Sequence, residues 1–449
     1  MRCTLVVGMK KSGMAALELL SRHYAQHSND FAMLRATDLK PLDELPEARA
    51  LLERLHVPFT QQAPDVFQGC DTIVLSPDVP ADLPPLEEAR RRGALVIGEV
   101  ELAAAFLRGK TIGVTGSNGK TTTTSLIGHI LRESGVTVQV GGNIGTPVTA
   151  MVDSSREEGW NVLELSSFQL ETICDFHAHI GLALNVTQNH LDRHHTFENY
   201  AAAKGRLFET QRVGDFAVLN ADDPVCVSYA DRTAATVNWF SGSHKVTPGA
   251  SLCADKLILD GKLLMEAGEI PIRGRHNVEN VLAAAIAAAR AGVAREQIAA
   301  AVRTFRAVEH RLEFVRKLNG IDFYNDSKAT SVDATLKAVN AFESGLWVIL
   351  GGKDKGLDYQ ALRDPLSAKA HAVLLIGAAA QKIAGQLEGS VPLVDAKTLD
   401  AAVAHAFRNA SPGDTVLLAP ACASFDQFKS YEHRGEVFKQ IVNQLESKD

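Results

Sequence analysis

Short apolar runs separated by amphipathic stretches repeat along the first hundred residues. TLVVG, FAMLRATD, DTIVLSP and ALVIG read as strands, and MAALELLSRH, LLERLHV, LEEARRRG and EVELAAAFL fall between or after them. Strands alternating with helices at this spacing predict a parallel sheet with crossover helices. A second unit opens at Thr111 with TIGVTGSNGKTTTTSLIGHILRESG and continues through strand-like NVLEL, IGLALNVT and FAVLN, with a helix over TFENYAAAKGRLFE. In KLILDGKLLMEAG the Asp260-Gly261 pair predicts a hairpin. The alanine-rich NVENVLAAAIAAARAGV predicts a helix packed on this unit, and SPDVPADLPP reads as a loop. From about His310 the runs IDFYND, LWVILGG, AVLLIG and TVLLAP alternate again with helical segments. The expected fold class is α/β in three domains: Rossmann-like over 1–100, a central P-loop domain with a mostly parallel sheet over 101–307, and a C-terminal Rossmann-like domain over 308–449.

Composition agrees with that count, since 449 residues at about 150 per domain suggest three. A hydrophobic share of 46% and a charged share of 22% exclude disordered, collagen-like and coiled-coil architectures. With 46 basic against 53 acidic residues the net charge is −7, so no global grip on nucleic acid or anionic lipid is expected, and an anionic ligand must be held locally. The six cysteines form no CxxC pair, which points away from a disulfide framework or cysteine zinc site. The apolar start Leu5-Val6-Val7 is too short for a signal segment, and no run approaches the about 20 apolar residues of a membrane span. A cytoplasmic protein is expected.

The densest chemical signal is I-G-V-T-G-S-N-G-K-T-T at Ile112 to Thr122, an apolar strand, a glycine loop, then Lys and Thr opening a helix. Gly116 and Gly119 let backbone N–H groups wrap a phosphate, Lys120 meets the terminal phosphates, and Thr121 is placed to bind Mg²⁺. The helix N-terminus adds positive potential there. Counted from Gly113 the loop is one residue longer than GxxxxGK, which points to a particular ATPase branch. Glu164 ends the strand-like NVLEL, where a second Mg²⁺ ligand beside a P-loop belongs.

NVTQNHLDRHH offers His190, Asp192, His194 and His195, but the spacing matches neither HExxH nor a Cys/His zinc site. Lys204 reads by itself as a helix-surface lysine. The N-terminal turn Gly8-Met9-Lys10-Lys11-Ser12-Gly13, with Asp38 ending the next strand, reads either as a worn dinucleotide fingerprint or as a structural βα turn, because Lys10 stands where the middle glycine belongs. In the third unit Asp326, Lys328, Thr330, Lys353, Lys355 and Ser424 lie in loops that end neighbouring strands, where open α/β sheets bind ligands. Cys422 lacks His and Asn partners and reads as a small buried residue.

In order along the chain, TGSNGKTT, GGNIGTP, ELSSFQL, NVTQNHLDRH, YAAAKGRLF, GRHNVEN, EHRLE, NDSKATS and APACASFDQF resemble the Mur ligase family over essentially the whole sequence. NDSKATS with ACASFDQF narrows the resemblance to the glutamate-adding branch. It implies ATP-dependent addition of D-glutamate to UDP-N-acetylmuramoyl-L-alanine through an acyl phosphate, with domains for the UDP-sugar, ATP and the amino acid in that order. By the same resemblance Gly116, Ser117, Asn118, Gly119, Lys120, Thr121 and Thr122 hold the phosphates. Asn277, Asn280, Arg311 and Asp326 belong at ATP.

Thr121 and Glu164 would bind the first Mg²⁺, and His190 the second with a carbamylated Lys204; Mn²⁺ is an expected substitute. Asn143 would lie near the reacting carboxylate, Ser12, Asp38 and Ser76 at the uridine end, and Lys328, Thr330, Lys355, Ser424 and Tyr431 at D-glutamate. Lys120, His190, Lys204, Arg311 and Lys328 form the expected catalytic set. Two departures sit in the first domain: Lys10-Lys11 replaces a glycine-rich turn, and Asp78 follows Ser76-Pro77 where glycine is commoner. A monomer acting on small molecules is expected, with no nucleic-acid or membrane partner. The competing readings are a folylpolyglutamate synthetase and a nucleotide-switched binding protein without ligase activity.

Overall fold

A computed structural model describes residues 2–26, 32–306 and 309–447, so the domain boundary expected at 307/308 lies outside the described residues, as does the side chain of Asp192. The architecture is α/β with three mostly parallel sheets. In the first, β1 (Arg2–Val7), β2 (Ala32–Asp38), β3 (Phe59–Gln61), β4 (Thr72–Leu75) and β5 (Leu95–Gly98) are ordered β3-β2-β1-β4-β5. All four pairings are parallel. Leu5, Val6 and Val7 are fully buried because helices cover both faces: Val6 packs with Leu17 and Leu20, while Leu5 and Val7 pack with Phe67 and Leu86. Each such burial contributes about 1.5–3 kcal/mol. The chain reverses its direction of winding between β1 and β4, so their carboxyl ends open a crevice.

The second sheet holds β6 (Lys110–Thr115), β7 (Val138–Gly142), β8 (Trp160–Glu164), β9 (Ile180–Ala183), β10 (Phe216–Asn220), β11 (Thr236–Ser241), β12 (Gly249–Cys253), β13 (Lys256–Leu259) and β14 (Lys262–Glu266). Their order is β14-β13-β12-β11-β10-β9-β6-β8-β7, parallel except where β13 pairs with β12 and β14. Winding reverses at β6/β9, so the glycine loop leaves the sheet at its switch point. The expected hairpin joins β13 to β14, with Asp260 at φ 47° and Gly261 at φ 78°, the two left-handed residues of a tight turn.

The third sheet holds β15 (Glu313–Leu318), β16 (Ile321–Asn325), β17 (Leu346–Gly351), β18 (Ala370–Ile376), β19 (Leu393–Lys397) and β20 (Thr415–Leu418), ordered β15-β16-β20-β17-β18-β19. Only β15 is antiparallel, joined to β16 through left-handed Asn319 and Gly320. SPDVPADLPP is a loop except that Pro84 and Pro85 form the first turn of the helix Pro84–Arg91, where a missing N–H costs nothing.

The chain forms two compact units. One comprises Met1–Ala267 and Glu279–Val302 and contains the first two sheets; the other comprises Gly268–Val278 and Arg303–Asp449 and contains the third. No helix among the described residues is long and apolar enough to cross a membrane.

Candidate functional site

In the first unit the strand β6 delivers the chain into Gly116 (φ 151°) and Gly119 (φ 83°), and the helix Lys120–Glu133 starts immediately after. A Cβ at Gly119 would sit 2.4 Å from Asn280 Oδ1, so the loop requires glycine on both conformational and steric grounds. Asn280 also accepts from Thr123 Oγ1 at 3.2 Å, which brings it against the loop. Asn118 is clamped by Asn185 through N–H to Oδ1 at 2.9 Å and a return bond at 3.1 Å. Ser117 Oγ lies 2.9 Å from the Tyr200 hydroxyl. Thr122 is buried beneath the helix's first turn.

Three charged side chains converge at this loop. Lys120 Nζ donates to the carbonyls of Gly116 at 2.7 Å and Ser117 at 3.0 Å. Lys204, on the helix Phe197–Glu209 and only 1% exposed, donates to the same Gly116 carbonyl at 2.9 Å. Burial, and then the Lys120 ammonium, hold the Lys204 amine well below the usual lysine range. Glu164, buried at the end of β8, accepts from Thr121 Oγ1 at 2.7 Å on one oxygen and from Asn143 Nδ2 at 2.8 Å on the other. A hydroxyl and a carboxylate side by side next to a phosphate loop are hard oxygen donors of the kind Mg²⁺ takes.

Of the histidines of NVTQNHLDRHH, His190 and His194 share the rings of Phe168 and Tyr200. His190 has left-handed backbone (φ 53°) and stacks edge-on against Phe168, ring centroids 4.9 Å apart. His194 contacts Ser167 Oγ at 2.9 Å and Glu171 at 3.1 Å, and His195 contacts Asp82 at 3.0 Å.

Asn143 also faces a cavity of about 180 Å³ between the first two sheets, together with Lys10, Lys11, Ser12, Ser76 and Asp78. Ser76 donates to the Gly8 carbonyl at 2.7 Å, and Asp38 accepts the Met9 and Lys40 N–H groups at 2.6 and 2.9 Å. Both residues therefore brace the turn itself. The two sequence departures meet here: Lys10 Nζ lies 2.7 Å from Asp78 Oδ2, with side chains 74% and 64% exposed. Lys11 donates to the Gly145 carbonyl.

The second unit gathers the remaining residues at the carboxyl ends of the adjacent strands β16, β20 and β17. Asp326, Lys328 and Thr330 follow β16, Lys355 follows β17, and Ser424 follows β20. Lys328 Nζ lies over the Tyr431 ring at 5.5 Å, and Lys355 Nζ reaches the Thr330 carbonyl at 3.5 Å. Burial lifts the Asp326 carboxyl to about 6, against the pull of the Arg311 guanidinium. Arg311 Nε is a buried donor with no hydrogen-bond partner among the described residues. Asn277 Nδ2 donates to the Arg273 carbonyl at 2.6 Å.

Sequence reasoning missed Arg434. It is 0% exposed, on the helix Tyr431–Gln444, and its hydrogen bonds all go to neutral oxygens. Nε donates to Ser327 Oγ at 2.9 Å, Nη2 to the Ser327 carbonyl at 2.8 Å, and both Nη atoms to the Cys422 carbonyl at 3.2 Å. It thereby ties the loop of Lys328 and Thr330 to the loop of Ser424. The signal was available: Arg434, Phe438 and Val442 recur every four residues and form one buried helical stripe.

With this geometry in place, the likenesses to known proteins agree. A model of the Mur ligase middle domain matches residues 114–288, and a model of the Mur ligase glutamate ligase domain matches residues 310–422. The sequence is 77% identical over 445 residues to UDP-N-acetylmuramoylalanine--D-glutamate ligase of Solibacter usitatus, covering 99% of this chain and 98% of the relative. It is 51% identical over 446 residues to the protein of the same description from Acidobacterium capsulatum, covering 98% and 95%. The solved structure of a pseudomurein peptide ligase type C from Methanothermus fervidus matches 99% of this chain and 100% of its own length with a TM-score of 0.60. At 17% identity that is a likeness of fold.

Proposed function

The chain belongs to the Mur ligase family, and from that premise we propose how its residues divide the reaction. It is an ATP-dependent ligase that adds D-glutamate to UDP-N-acetylmuramoyl-L-alanine in peptidoglycan precursor synthesis, forming an amide bond with release of ADP and phosphate. The substrate carboxylate attacks the γ-phosphate to give an acyl phosphate. The amine of D-glutamate then displaces phosphate through a tetrahedral intermediate.

Carboxylate and polyphosphate repel, so the residues around them must supply positive charge. Lys120 and the loop Gly116–Thr122 take the phosphates, and the Lys120 ammonium turns from its own loop carbonyls to the γ-phosphate. Arg311, whose buried Nε has no hydrogen-bond partner among the described residues, meets the nucleotide together with Asn277, Asn280 and Asp326. Thr121 and Glu164 would hold one Mg²⁺, and His190 and Lys204 a second, with Mn²⁺ as a substitute; the ions neutralise the approaching charges when bound. Burial, which holds the Lys204 amine well below the usual lysine range, supports its role as a metal-site carbamate: the nitrogen lone pair of the deprotonated amine adds to CO₂, one proton leaves, and an anionic oxygen ligand results.

Lys328, Thr330, Lys355, Ser424 and Tyr431 receive the two carboxylates of D-glutamate. Ser12 and Ser76, with the turn braced by Asp38, receive the uridine end. Residues 1–100, 101–307 and 308–449 divide these tasks in that order, in a cytoplasmic monomer.

The observation that carries this reading is Glu164, whose two oxygens join the phosphate loop, through Thr121, to Asn143 in the cavity between the first two sheets. Phosphate release with UDP-N-acetylmuramoyl-L-alanine, measured against a panel of amino acids, tests it. D-Glutamate should be selected. Turnover with L-alanine or a diamino acid and none with D-glutamate rejects the assignment.

A further inference from the structure

The loop that carries Lys355 is built around a buried phenol. Tyr359 is 0% exposed, and its hydroxyl donates to Asp354 Oδ1 at 3.1 Å while lying 3.1 Å from Cys422 Sγ. A phenol has one proton, so donation to the carboxylate leaves its oxygen to accept the thiol S–H. Burial raises both the Tyr359 phenol and the Cys422 thiol, which keeps the two protons where this arrangement needs them. Asp354 is held from two further sides. Gly356 N–H donates to Oδ1 at 3.1 Å, and Lys382 Nζ meets Oδ2 at 2.9 Å, which holds the carboxyl below its usual range.

The consequence is spatial. Asp354 precedes Lys355, and one residue earlier the Lys353 N–H donates to the Ala423 carbonyl at 2.8 Å. Lys355 therefore follows directly on a two-residue anchor, fastened to the phenol through Asp354 and to the loop of Ser424 through Lys353. Cys422, the phenol's second partner, lies two residues before Ser424. Lys382 takes up the Asp354 charge, so the neighbouring carboxylate does not quench the Lys355 ammonium.

We propose that the Tyr359 hydroxyl is a positioning group for D-glutamate, which fixes the separation of Lys355 and Ser424 by holding Asp354 and Cys422 on one oxygen. This rests on the reading above, in which Lys355 and Ser424 grip substrate carboxylates. The hydroxyl never touches substrate. Its effect is confined to the binding of the amino acid, because the phosphate loop and the UDP-sugar cavity draw on other residues.

The test is steady-state kinetics of Tyr359→Phe, which keeps the ring and removes only the hydroxyl, with D-glutamate, ATP and UDP-N-acetylmuramoyl-L-alanine varied in turn. KM for D-glutamate should rise about five- to tenfold, with kcat within about twofold and the other two KM values unchanged. Lys382→Gln, at a half-exposed position, is the second variant and should shift the same constant in the same direction. Cys422→Ser, which restores an O–H donor, should lie closer to wild type in that constant than Cys422→Ala. An unchanged D-glutamate KM in Tyr359→Phe overturns the proposal, and so does an equal rise in all three KM values, the mark of general loosening. Wild-type enzyme that does not use D-glutamate at all would instead overturn the functional reading, so the two failures are distinguishable.

Discussion

At Lys204 a primary amine sits almost wholly out of water, bonded to the Gly116 carbonyl and facing a second ammonium. Such a site favours loss of charge, and the expected outcome of Lys204→Ala is a fall in kcat of at least about a hundredfold, with partial rescue by added short carboxylic acids. A ¹³C carbamate resonance should appear after labelled bicarbonate is added to wild type and be missing in the variant; unchanged kcat in the variant rejects the carbamate.

Asp326 makes a separate pH statement. Burial raises its folded pKa to about 6, above the ordinary range of an aspartate, so its contribution to stability is fully present below about pH 4 and is lost as pH rises through about 6. Asp326→Asn should therefore gain on wild type across that window by up to about 3 kcal/mol in denaturant unfolding. A difference between the two proteins that does not vary with pH contradicts the assignment. Of the residue-level site, the loop at Lys120 was legible because strand, glycines and helix are contiguous. The Lys10–Asp78 pair was not, since the partners lie 68 residues apart and no local pattern links them.

Among elements, the strands that position the site were legible for a physical reason. Parallel strands buried on both faces are continuous apolar runs, as TLVV, TIVL and LWVILG are. The edge strands β15 (EFVRKL) and β19 (LVDAK) escaped, because one side of each is open to water and their composition is mixed. The Asn319-Gly320 turn was the available sign of β15. Arg434 escaped for the opposite reason, since an arginine among Glu and His reads as surface. Its replacement tests the tie between two loops: Arg434→Met should leave three neutral oxygens short of donors and lower stability by about 2–4 kcal/mol, read from chemical denaturation. At the turn above β1 the exposed Lys10–Asp78 pair adds only a few tenths of a kcal/mol. Lys10→Ala should leave the melting temperature nearly unchanged while raising KM for the anionic UDP-sugar; equal KM values would show that Lys10 is only a surface ion pair.

On the scale of the whole molecule, charge and chain path matter more than any one contact. All three substrates are anionic and the chain carries a net −7, so in the proposed reading attraction comes locally, from Lys120, Arg311, Lys328 and Lys355, and the affinities should weaken with salt less steeply than for a protein with a basic surface. The proposed reaction draws on residues of both compact units, which predicts a ligand-dependent change in compactness. Scattering profiles with and without ATP and D-glutamate should differ, and superimposable profiles would exclude closure.

The second unit is not one continuous stretch of chain, because Gly268–Val278 belongs to it and Glu279–Val302 does not. Within that unit Arg273 lies over the rings of Tyr324 at 5.4 Å and Phe342 at 5.9 Å, and Glu269 pairs with Arg303 at 2.7 Å. Recombination at a single crossover near residue 303 would therefore separate the third sheet from a piece of its own packing. Exchange of this module between relatives must carry residues 268–278 along with it, which makes inheritance of the amino-acid specificity a three-junction event.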